Sequence, residues 1–286
     1  MSDKPTYQPP CTITPAIVNL VAQISEAVGR LSAIADAVKT LRLRRINRIR
    51  TIRGSLAIEG NTLNEEQITA ILEGKRVIAP RREIQEACNA IAAYDRFEQW
   101  RPDVEAELLE AHHILMAGLI DEAGIYRHGG VSVMAGTQLI HMVPPADRVP
   151  ALMRDLFQWL SASEAHPLIT SSVFHYEFEF IHPFADGNGR MGRLWQILML
   201  SRWNQLFADI PVESLVCEHQ AEYYQALQAS TDQADSAPFV EFMLRMIFDA
   251  VTSIAPQVAP QVNPQVRRFT GSHWRRSDSQ GAIGRS

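Results

Sequence analysis

The densest group of chemically active residues lies between His182 and Arg193, where an apolar stretch is followed by a glycine-rich loop and a second apolar stretch. Pro183 disfavours helical geometry in the residue before it, so the first helix is expected to end at His182. Glycines let the main chain approach a ligand closely, and the free N–H groups at a helix start attract phosphate oxygens. The sequence therefore predicts an anion site at the start of the second helix.

Four side chains near this loop could act on a bound polyphosphate. Arg190 and Arg193 are three residues apart on one helical face, so both could hold the outer phosphates of one anion. Asp186 is a carboxylate that could bind Mg²⁺ beside those phosphates. Histidine ordinarily titrates near neutral pH, which suits His182 to take a proton from an attacking hydroxyl. Each piece alone is commonplace, but together they indicate activation of a nucleophile beside phosphate.

The elements that must position this loop are mainly helices. An apolar repeat that begins at Thr14-Pro15 and runs to Val38 predicts the first helix, and an arginine-rich helix is predicted from Leu41 to Ile58. Asn64 and Gln67 predict a capped helix that Gly74 ends. Further helices are predicted over residues 84–94, 104–115, 152–160, 168–181, 194–200 and 237–254. The fold class is predicted to be mostly α.

One segment has strand character instead. The runs 131–134 and 139–143 flank Ala135-Gly136-Thr137 and predict a short β-hairpin. A hairpin edge could accept the main chain of a partner, although a surface hairpin without a role matches the pattern equally well.

Composition limits the function classes. A formal charge of −5 argues against a nucleic-acid coat or a membrane-surface protein. The arginine-rich helix could be a nucleic-acid patch, but an ion-paired face is favoured. The three cysteines, Cys11, Cys88 and Cys217, form no Cys-x-x-Cys pair, so neither a disulfide framework nor a zinc site is predicted. No signal peptide or apolar span is apparent, so a cytoplasmic location is expected.

The run HPFADGNGRMGR resembles the HPFx(D/E)GNGRxxR signature of the Fic family. The resemblance implies a Fic-type helical bundle and a protein adenylyltransferase, which moves AMP from ATP to a Ser, Thr or Tyr hydroxyl. It makes His182 the general base and Asp186 the Mg²⁺ ligand. It also assigns Asn188 as a side-chain donor within a phosphate cradle. The implied nucleotide-binding residues are Gly187, Asn188, Gly189, Arg190, Met191, Gly192 and Arg193.

The same resemblance gives a role to the predicted hairpin. Residues 131–143 match the flap of the family, on which the target protein docks by strand addition, and residues 124–127 resemble its usual lead-in. Doc-type kinases of the family carry Lys where this chain has Gly189, which favours nucleotide transfer.

A second match lies upstream, in residues 55–61, hereafter the inhibitory segment. They resemble the (S/T)xxxE(G/N) inhibitory motif, with regulatory residues Ser55, Glu59, Gly60 and Asn61. By this resemblance Glu59 pairs with Arg193, takes the place of the γ-phosphate and holds ATP in an unproductive pose. A chance Ser-x-x-x-Glu at a helix end is the alternative, and removal of AMP by the same glutamate stays open.

The adenine side is less well matched. Residues 215–224 resemble the region where the family has Asn-Arg before a tyrosine pair, but this chain has His219-Gln220 before Tyr223-Tyr224. We predict nucleotide contacts from His219, Tyr223 and Tyr224, while noting that adjacent tyrosines on a helix are otherwise core and surface residues.

The predicted organisation has three parts: an N-terminal helical region over residues 1–100, a Fic catalytic core over 101–255, and a Pro-Gln-Val linker with a disordered tail over 256–286. In longer relatives such repeats lead into a winged-helix module, for which the tail has no pattern. Alternative activities are UMP or phosphocholine transfer, removal of AMP, phosphorylation, or regulation by nucleotide binding without turnover. A homodimer is left open.

Overall fold

The computed structural model describes residues 7–35, 41–130, 132–135 and 138–258. Most of these residues lie in α-helices, which confirms the predicted mostly α fold class. The helices are α1 Pro15–Ala35, α2 Leu41–Ile58, α3 Glu65–Leu72, α4 Arg81–Arg96, α5 Glu105–Met116, α6 Val149–Ala162, α7 Pro167–Ile181, α8 Asn188–Trp203, α9 Val212–Glu218, α10 Gln220–Gln233 and α11 Ala237–Val258. Short 3₁₀ turns occupy Phe97–Gln99, Ala146–Arg148 and Gln205–Asp209.

Local capping residues set several of these boundaries. The Thr14 hydroxyl accepts the N–H of Ile17 at 3.2 Å at the start of α1. The Asn64 side chain accepts the N–H of Gln67 at 2.8 Å, and the Gln67 side chain accepts the N–H of Asn64 at 3.0 Å. This reciprocal pair is the predicted capping box, and it satisfies main-chain donors that the first turn of α3 leaves open.

The C-terminal helix differs from the prediction. Helix α11 continues to Val258 and so includes Pro256, where an extended Pro-Gln-Val linker was predicted to begin. The φ angle of proline lies in the helical range, so the residue can continue a helix at the loss of one hydrogen bond. The rest of the predicted linker and tail, over 259–286, lies outside the described residues, as do Val38, Val131 and Gly136-Thr137.

Helices α7 and α8 form the centre of the core. They pack against one another, and α7 also contacts α6 and α11, while α1 lies against α11 and α2 against α9. Large aromatic side chains fill the space around them with almost no exposure: Phe174, Phe178, Phe184, Trp195, Phe207, Phe239 and Phe242. Burial of this kind is the main stabilising contribution to folding, and it packs α7 against α8.

Two short strands lie between α5 and α6. Strands β1, Ser132–Ala135, and β2, Gln138–Met142, pair antiparallel, with Ser132 opposite Met142 and Val133 opposite His141. An irregularity in the register follows Val133. The pairing matches the strand pattern of the sequence, but the use of this segment as a flap remains a prediction.

The arginine-rich face of α2 is occupied by ion pairs. Arg45 contacts Glu73 at 2.5 Å and Arg48 contacts Asp95 at 2.7 Å, and weaker pairs join Arg44 to Asp209 and Arg50 to Glu65. These four contacts confirm the ion-paired interpretation of that face. None of the helices in the described ranges combines the length and apolar character needed to cross a bilayer.

We expect Gly54→Ala to destabilise the protein. A methyl group at Gly54 would lie 2.7 Å from the main-chain carbon of Glu213 and from the nitrogen of Ser214, so α2 would have to move away from α9. Such overpacking ordinarily lowers the free energy of unfolding by about 1–3 kcal/mol. Urea unfolding of the two proteins measures the difference.

The matched control is Gly29→Ala in α1, where an added methyl group meets nothing within 4 Å. Alanine favours a helix over glycine by about 0.5–1 kcal/mol, so this variant should be at least as stable as the parent protein. Equal effects of the two substitutions would contradict the close packing of α2 on α9.

Candidate active site

The loop between α7 and α8 is held in a defined shape by its own main chain. His182 ends α7 with φ of 50° and ψ of 63°, a left-handed conformation that is uncommon for residues other than glycine. The Asn188 side chain accepts the N–H of Phe184 and donates to its carbonyl, both at 2.9 Å. Gly187, with φ of 85°, precedes the first residue of α8. The loop therefore places the first turn of α8, which begins at Asn188, close in sequence to His182.

Arg127 braces this loop from the side of the strands. Its guanidinium donates from Nε to the carbonyl of His182 at 2.7 Å and from Nη1 to the carbonyl of Gly129 at 3.0 Å. Nη2 reaches the carbonyls of Pro144 at 2.5 Å and Ile181 at 3.3 Å. One buried cation thus satisfies carbonyls at the end of α7 and ties them to both flanks of the strand pair. The sequence analysis matched residues 124–127 to the segment that precedes the flap, but it did not predict these hydrogen bonds of Arg127.

His112 supports the loop from α5 and was missed from the sequence. Its Nδ1 accepts the N–H of Gly124 at 2.8 Å, so Nε2 carries the proton and donates to the carbonyl of Asp186 at 2.9 Å. The ring stacks on Phe184 with centroids 3.6 Å apart. Burial lowers the pKa of His112 to about 4, which keeps this neutral tautomer at physiological pH.

Arg193 is a buried cation at the centre of a hydrogen-bond network with the end of α2. Its side chain is 2% exposed, and Nη2 donates to Glu59 at 2.7 Å and to the carbonyl of Ser55 at 3.0 Å. Nε donates to the Ser55 hydroxyl at 3.2 Å. Burial alone would lower the pKa of Arg193, but Glu59, together with Tyr223 and Glu179, outweighs it and the pKa rises. The predicted contact between the inhibitory segment and Arg193 is therefore present.

The end of α2 is itself held in place. Gly60 ends the helix with φ of 87°, and Gln220 at the start of α10 donates to the carbonyl of Ile58 at 2.7 Å. Asn61 donates to Glu86 of α4 at 2.9 Å. Gly189 leaves room for the Glu59 carboxylate, because a methyl group there would collide with Glu59 and lie 2.9 Å from Arg193.

Asp186 lies at the mouth of the loop with its side chain 40% exposed. Its Oδ1 accepts the N–H of Gly187 at 2.6 Å and a hydrogen bond from Arg190 at 3.2 Å, and its Oδ2 accepts from Arg82 of α4 at 3.1 Å. An accessible carboxylate oxygen beside a helix start fits a hard cation that shares phosphate oxygens. Within the described part of the chain, no group of three or more His, Cys, Asp or Glu could hold a metal by itself.

Arg190 is almost fully buried beside Asp186. Its side chain is 4% exposed and its Nη1 lies 3.7 Å from Glu86. Its Nε has no hydrogen-bond partner among the described residues. A buried donor of this kind is costly unless it is paired, so Arg190 is suited to meet an anion.

Comparison with known proteins identifies the family. A family model described as Fic/DOC matches residues 101–200. The crystal structure of a Fic family protein from Desulfovibrio desulfuricans G20 is 58% identical and superposes with a TM-score of 0.86, covering 91% of this chain and 80% of that one. The chain belongs to the Fic/DOC family.

More distant Fic relatives have annotated activities or solved structures. The protein adenylyltransferase Fic of Aedes aegypti is 31% identical over 74% of this chain and 43% of its own length. That of Culex quinquefasciatus is 32% identical over 68% of this chain and 39% of its own length. The chain thus spans about two-fifths of the length of these curated relatives. Fic-1 of C. elegans has a TM-score of 0.64 at 25% identity, over 84% of this chain and 74% of that structure.

Not every residue that the Fic signature implies faces a ligand. The side chain of Met191 lies in the core and its N–H donates to the carbonyl of Gly187 at 3.0 Å, so it packs the start of α8, and its nucleotide contact remains a prediction. Gly192 serves close packing, because a methyl group there would lie 2.7 Å from His175. Asn188 uses one of its two N–H groups on Phe184, which leaves the other for the predicted donation to phosphate.

On the adenine side, the predicted residues differ in exposure. Tyr223 is 2% exposed, and its hydroxyl donates to Nε2 of His175 at 3.2 Å, so it packs in the core, and its contact with a base remains a prediction. Tyr224 is half-buried and lies against Tyr223, while His219 contacts Glu222 at 2.9 Å near the surface. A contact of Tyr224 or His219 with the nucleotide remains a prediction.

Glu179 is a buried carboxylate of the Fic site that sequence reasoning missed. It lies one turn before His182, with Oε2 at 3.9 Å from Nδ1 of His182 and Oε1 at 3.9 Å from Nε2 of His175. Burial raises its pKa to about 8. In the sequence, Glu179 stands out as an acidic residue within the mainly apolar run of α7.

We expect the free energy of unfolding of the Fic chain to fall as the pH drops from about 6.5 towards 4. In this range His112 is protonated in the unfolded chain but stays neutral in the folded chain, where burial lowers its pKa. Stability falls on acidification because a base whose pKa is lowered by folding binds more protons in the unfolded state. Replacing His112 with Gln, which keeps one donor and one acceptor, should reduce the loss between about pH 7 and pH 5 by about 1–2 kcal/mol. Urea unfolding at both pH values provides the measurement.

His175 is buried with a pKa lowered to about 3 and remains in both proteins, as do the buried carboxylates. Their contributions cancel in the comparison, so the difference reports on His112. An identical pH dependence in the two proteins would show that His112 is not neutral in the folded chain.

Proposed function

We propose that this chain is an autoinhibited protein adenylyltransferase that transfers AMP from ATP to a Ser, Thr or Tyr hydroxyl of a target protein, and to itself. The observation that carries the proposal is Glu59, which pairs at 2.7 Å with Arg193 beside the catalytic loop. Relatives named protein adenylyltransferase support the transfer of AMP.

The proposed reaction starts from the hydroxyl of the target. His182, whose side chain is 18% exposed, takes the proton while the hydroxyl oxygen bonds to the α-phosphorus of ATP. The bond from that phosphorus to the bridging oxygen breaks, and pyrophosphate leaves. The N–H groups at the start of α8 and the side chain of Arg190 hold the phosphates. Mg²⁺ at Asp186 would neutralise phosphate charge when it is bound.

Inhibition follows from competition for one guanidinium. Arg193 is too deeply buried to bind Glu59 and a γ-phosphate at full strength at once, and Gly189 lets the carboxylate approach the start of α8. A nucleotide that enters while Glu59 stays in place loses its outer-phosphate contact, so its α-phosphorus is not aligned with the attacking hydroxyl. Activity then requires that Glu59 leave.

The target is proposed to dock on the paired strands β1 and β2. Arg127 joins the main chain on both flanks of these strands to the carbonyls of Ile181 and His182. A peptide that adds to the strand edge would therefore be held in a fixed relation to the general base. The pairing of the target's main chain with the strand edge, rather than contacts of its other side chains, would then place its hydroxyl beside His182.

Incubation with α-³²P-ATP tests the proposal. The parent protein should label weakly, and Glu59→Gly should raise the label on itself and on proteins of a lysate. Adding His182→Ala to Glu59→Gly should lower the labelling rate roughly 100-fold or more, because general base catalysis is lost. Glu59→Gln, which removes the charge but keeps the shape, should give an intermediate rate.

The pattern of labels separates the chemistries. AMP transfer predicts label from the α-position and none from γ-labelled ATP, whereas phosphorylation predicts the reverse. Transfer of UMP or phosphocholine predicts no label from ATP but label from the corresponding donor. If Glu59→Gly labels no protein from α-³²P-ATP, the proposed function is wrong.

A further inference from the structure

Asp186, the proposed Mg²⁺ ligand, already has a cation on its exposed side. Arg82, in the first turn of α4, places Nη2 at 3.1 Å from Oδ2 of Asp186. The other oxygen, Oδ1, is taken by the N–H of Gly187 and by Arg190. Both oxygens of the carboxylate are therefore engaged, and Arg82 is the side-chain partner of Oδ2.

We propose that Arg82 is a positioning residue that competes with Mg²⁺ for Asp186 and so sets the metal concentration at which nucleotide binds. This inference rests on the proposed function. A Mg²⁺ ion binds a carboxylate oxygen at about 2.0–2.1 Å and repels a nearby guanidinium, so the two cations cannot share Oδ2. Arg82 must turn away before the metal binds.

Glu86 provides the second contact that such a displacement needs. Its carboxylate accepts Nε of Arg82 at 3.2 Å, one turn along α4, and its side chain is 12% exposed. Arg82 can therefore release Asp186 with its terminal nitrogen while Nε stays on Glu86. Displacement then requires only a rotation of the guanidinium, not the loss of all its partners.

Glu86 also connects this contact to the inhibitory segment. Its Oε2 accepts a hydrogen bond from Asn61 at 2.9 Å, and Asn61 follows Glu59 by two residues. A chain of direct contacts thus runs from Asn61 through Glu86 and Arg82 to Asp186. Asn61 of the inhibitory segment and Arg82 therefore share one carboxylate, that of Glu86.

The expected effect is modest, because both partners are partly exposed: 59% for the side chain of Arg82 and 40% for that of Asp186. Ion pairs of this kind contribute little and weaken with added salt, so removal of Arg82 should lower the half-saturating Mg²⁺ concentration roughly two- to fivefold. The effect should shrink as the ionic strength rises.

Calorimetric titration tests this with α,β-methylene-ATP, which cannot transfer AMP, at a series of Mg²⁺ concentrations. The proteins are Glu59→Gly and Glu59→Gly with Arg82→Ala. We expect Arg82→Ala to shift the Mg²⁺ dependence of binding to lower concentrations by the stated factor. The affinity at saturating Mg²⁺ should rise by a similar factor, because no Arg82 contact then has to be displaced. Because each protein meets the same nucleotide and metal solution, the ratio is independent of Mg²⁺ binding by free nucleotide.

Two further variants serve as controls in the same background. Arg81→Ala removes an equal charge from the neighbouring exposed position and should leave the Mg²⁺ dependence unchanged. Arg82→Lys keeps the charge with one short donor group and should restore part of the competition. An equal shift for Arg81→Ala and Arg82→Ala would overturn the inference, because it would show a general effect of charge.

The remaining outcomes are also decisive. A Mg²⁺ dependence that Arg82→Ala leaves unchanged overturns the inference but not the proposed function. Loss of affinity at saturating Mg²⁺ overturns it as well, because Arg82 would then be a ligand of the nucleotide. If Glu59→Gly alone binds no nucleotide at any Mg²⁺ concentration, the proposed function fails and this inference with it.

Discussion

The buried guanidinium of Arg193 is the constraint on which the rest of the site depends. Its side chain is 2% exposed and always charged, and a buried cation without a partner is strongly destabilising. Glu59 and the Ser55 carbonyl meet that requirement in this structure. A terminal phosphate group is also an anion whose oxygens accept hydrogen bonds from a guanidinium, as the Glu59 carboxylate does. In the proposed function, the inhibited and the nucleotide-bound forms are therefore alternative ways of satisfying one cation.

The surrounding main chain is fixed before any ligand arrives. His112 holds the carbonyl of Asp186, Arg127 holds that of His182, and Asn188 closes the turn on Phe184. These contacts come from α5, from the segment before β1 and from α8. They hold the N–H groups at the start of α8 in place, so a phosphate that binds there as proposed would meet dipoles that need no reorganisation.

The sequence predicted what depends on neighbouring residues and missed what depends on distant ones. The capping box of Asn64 and the end of α7 at His182 follow from local rules and were found. The family signature supplied the pairing of Glu59 with Arg193, which lie 134 residues apart. Nothing local indicates that His112 would lie under Asp186, or that Tyr223 would turn into the core towards His175. Such contacts arise only when α5, α7, α8 and α10 pack together.

The charge of Arg193 is balanced by Glu59 rather than by the other carboxylates nearby. Burial raises the pKa of Glu179 to about 8 and that of Glu213 to about 7, which shifts both towards their neutral forms at physiological pH. Glu59 also raises the pKa of Glu179, whereas Arg193 lowers it. In the proposed exchange, departure of Glu59 would remove one of the charges that raise the pKa of Glu179, so Glu179 would ionise more readily beside Arg193. Glu179, one turn before the proposed general base His182, is therefore placed to offset part of the charge of Arg193 when Glu59 is absent.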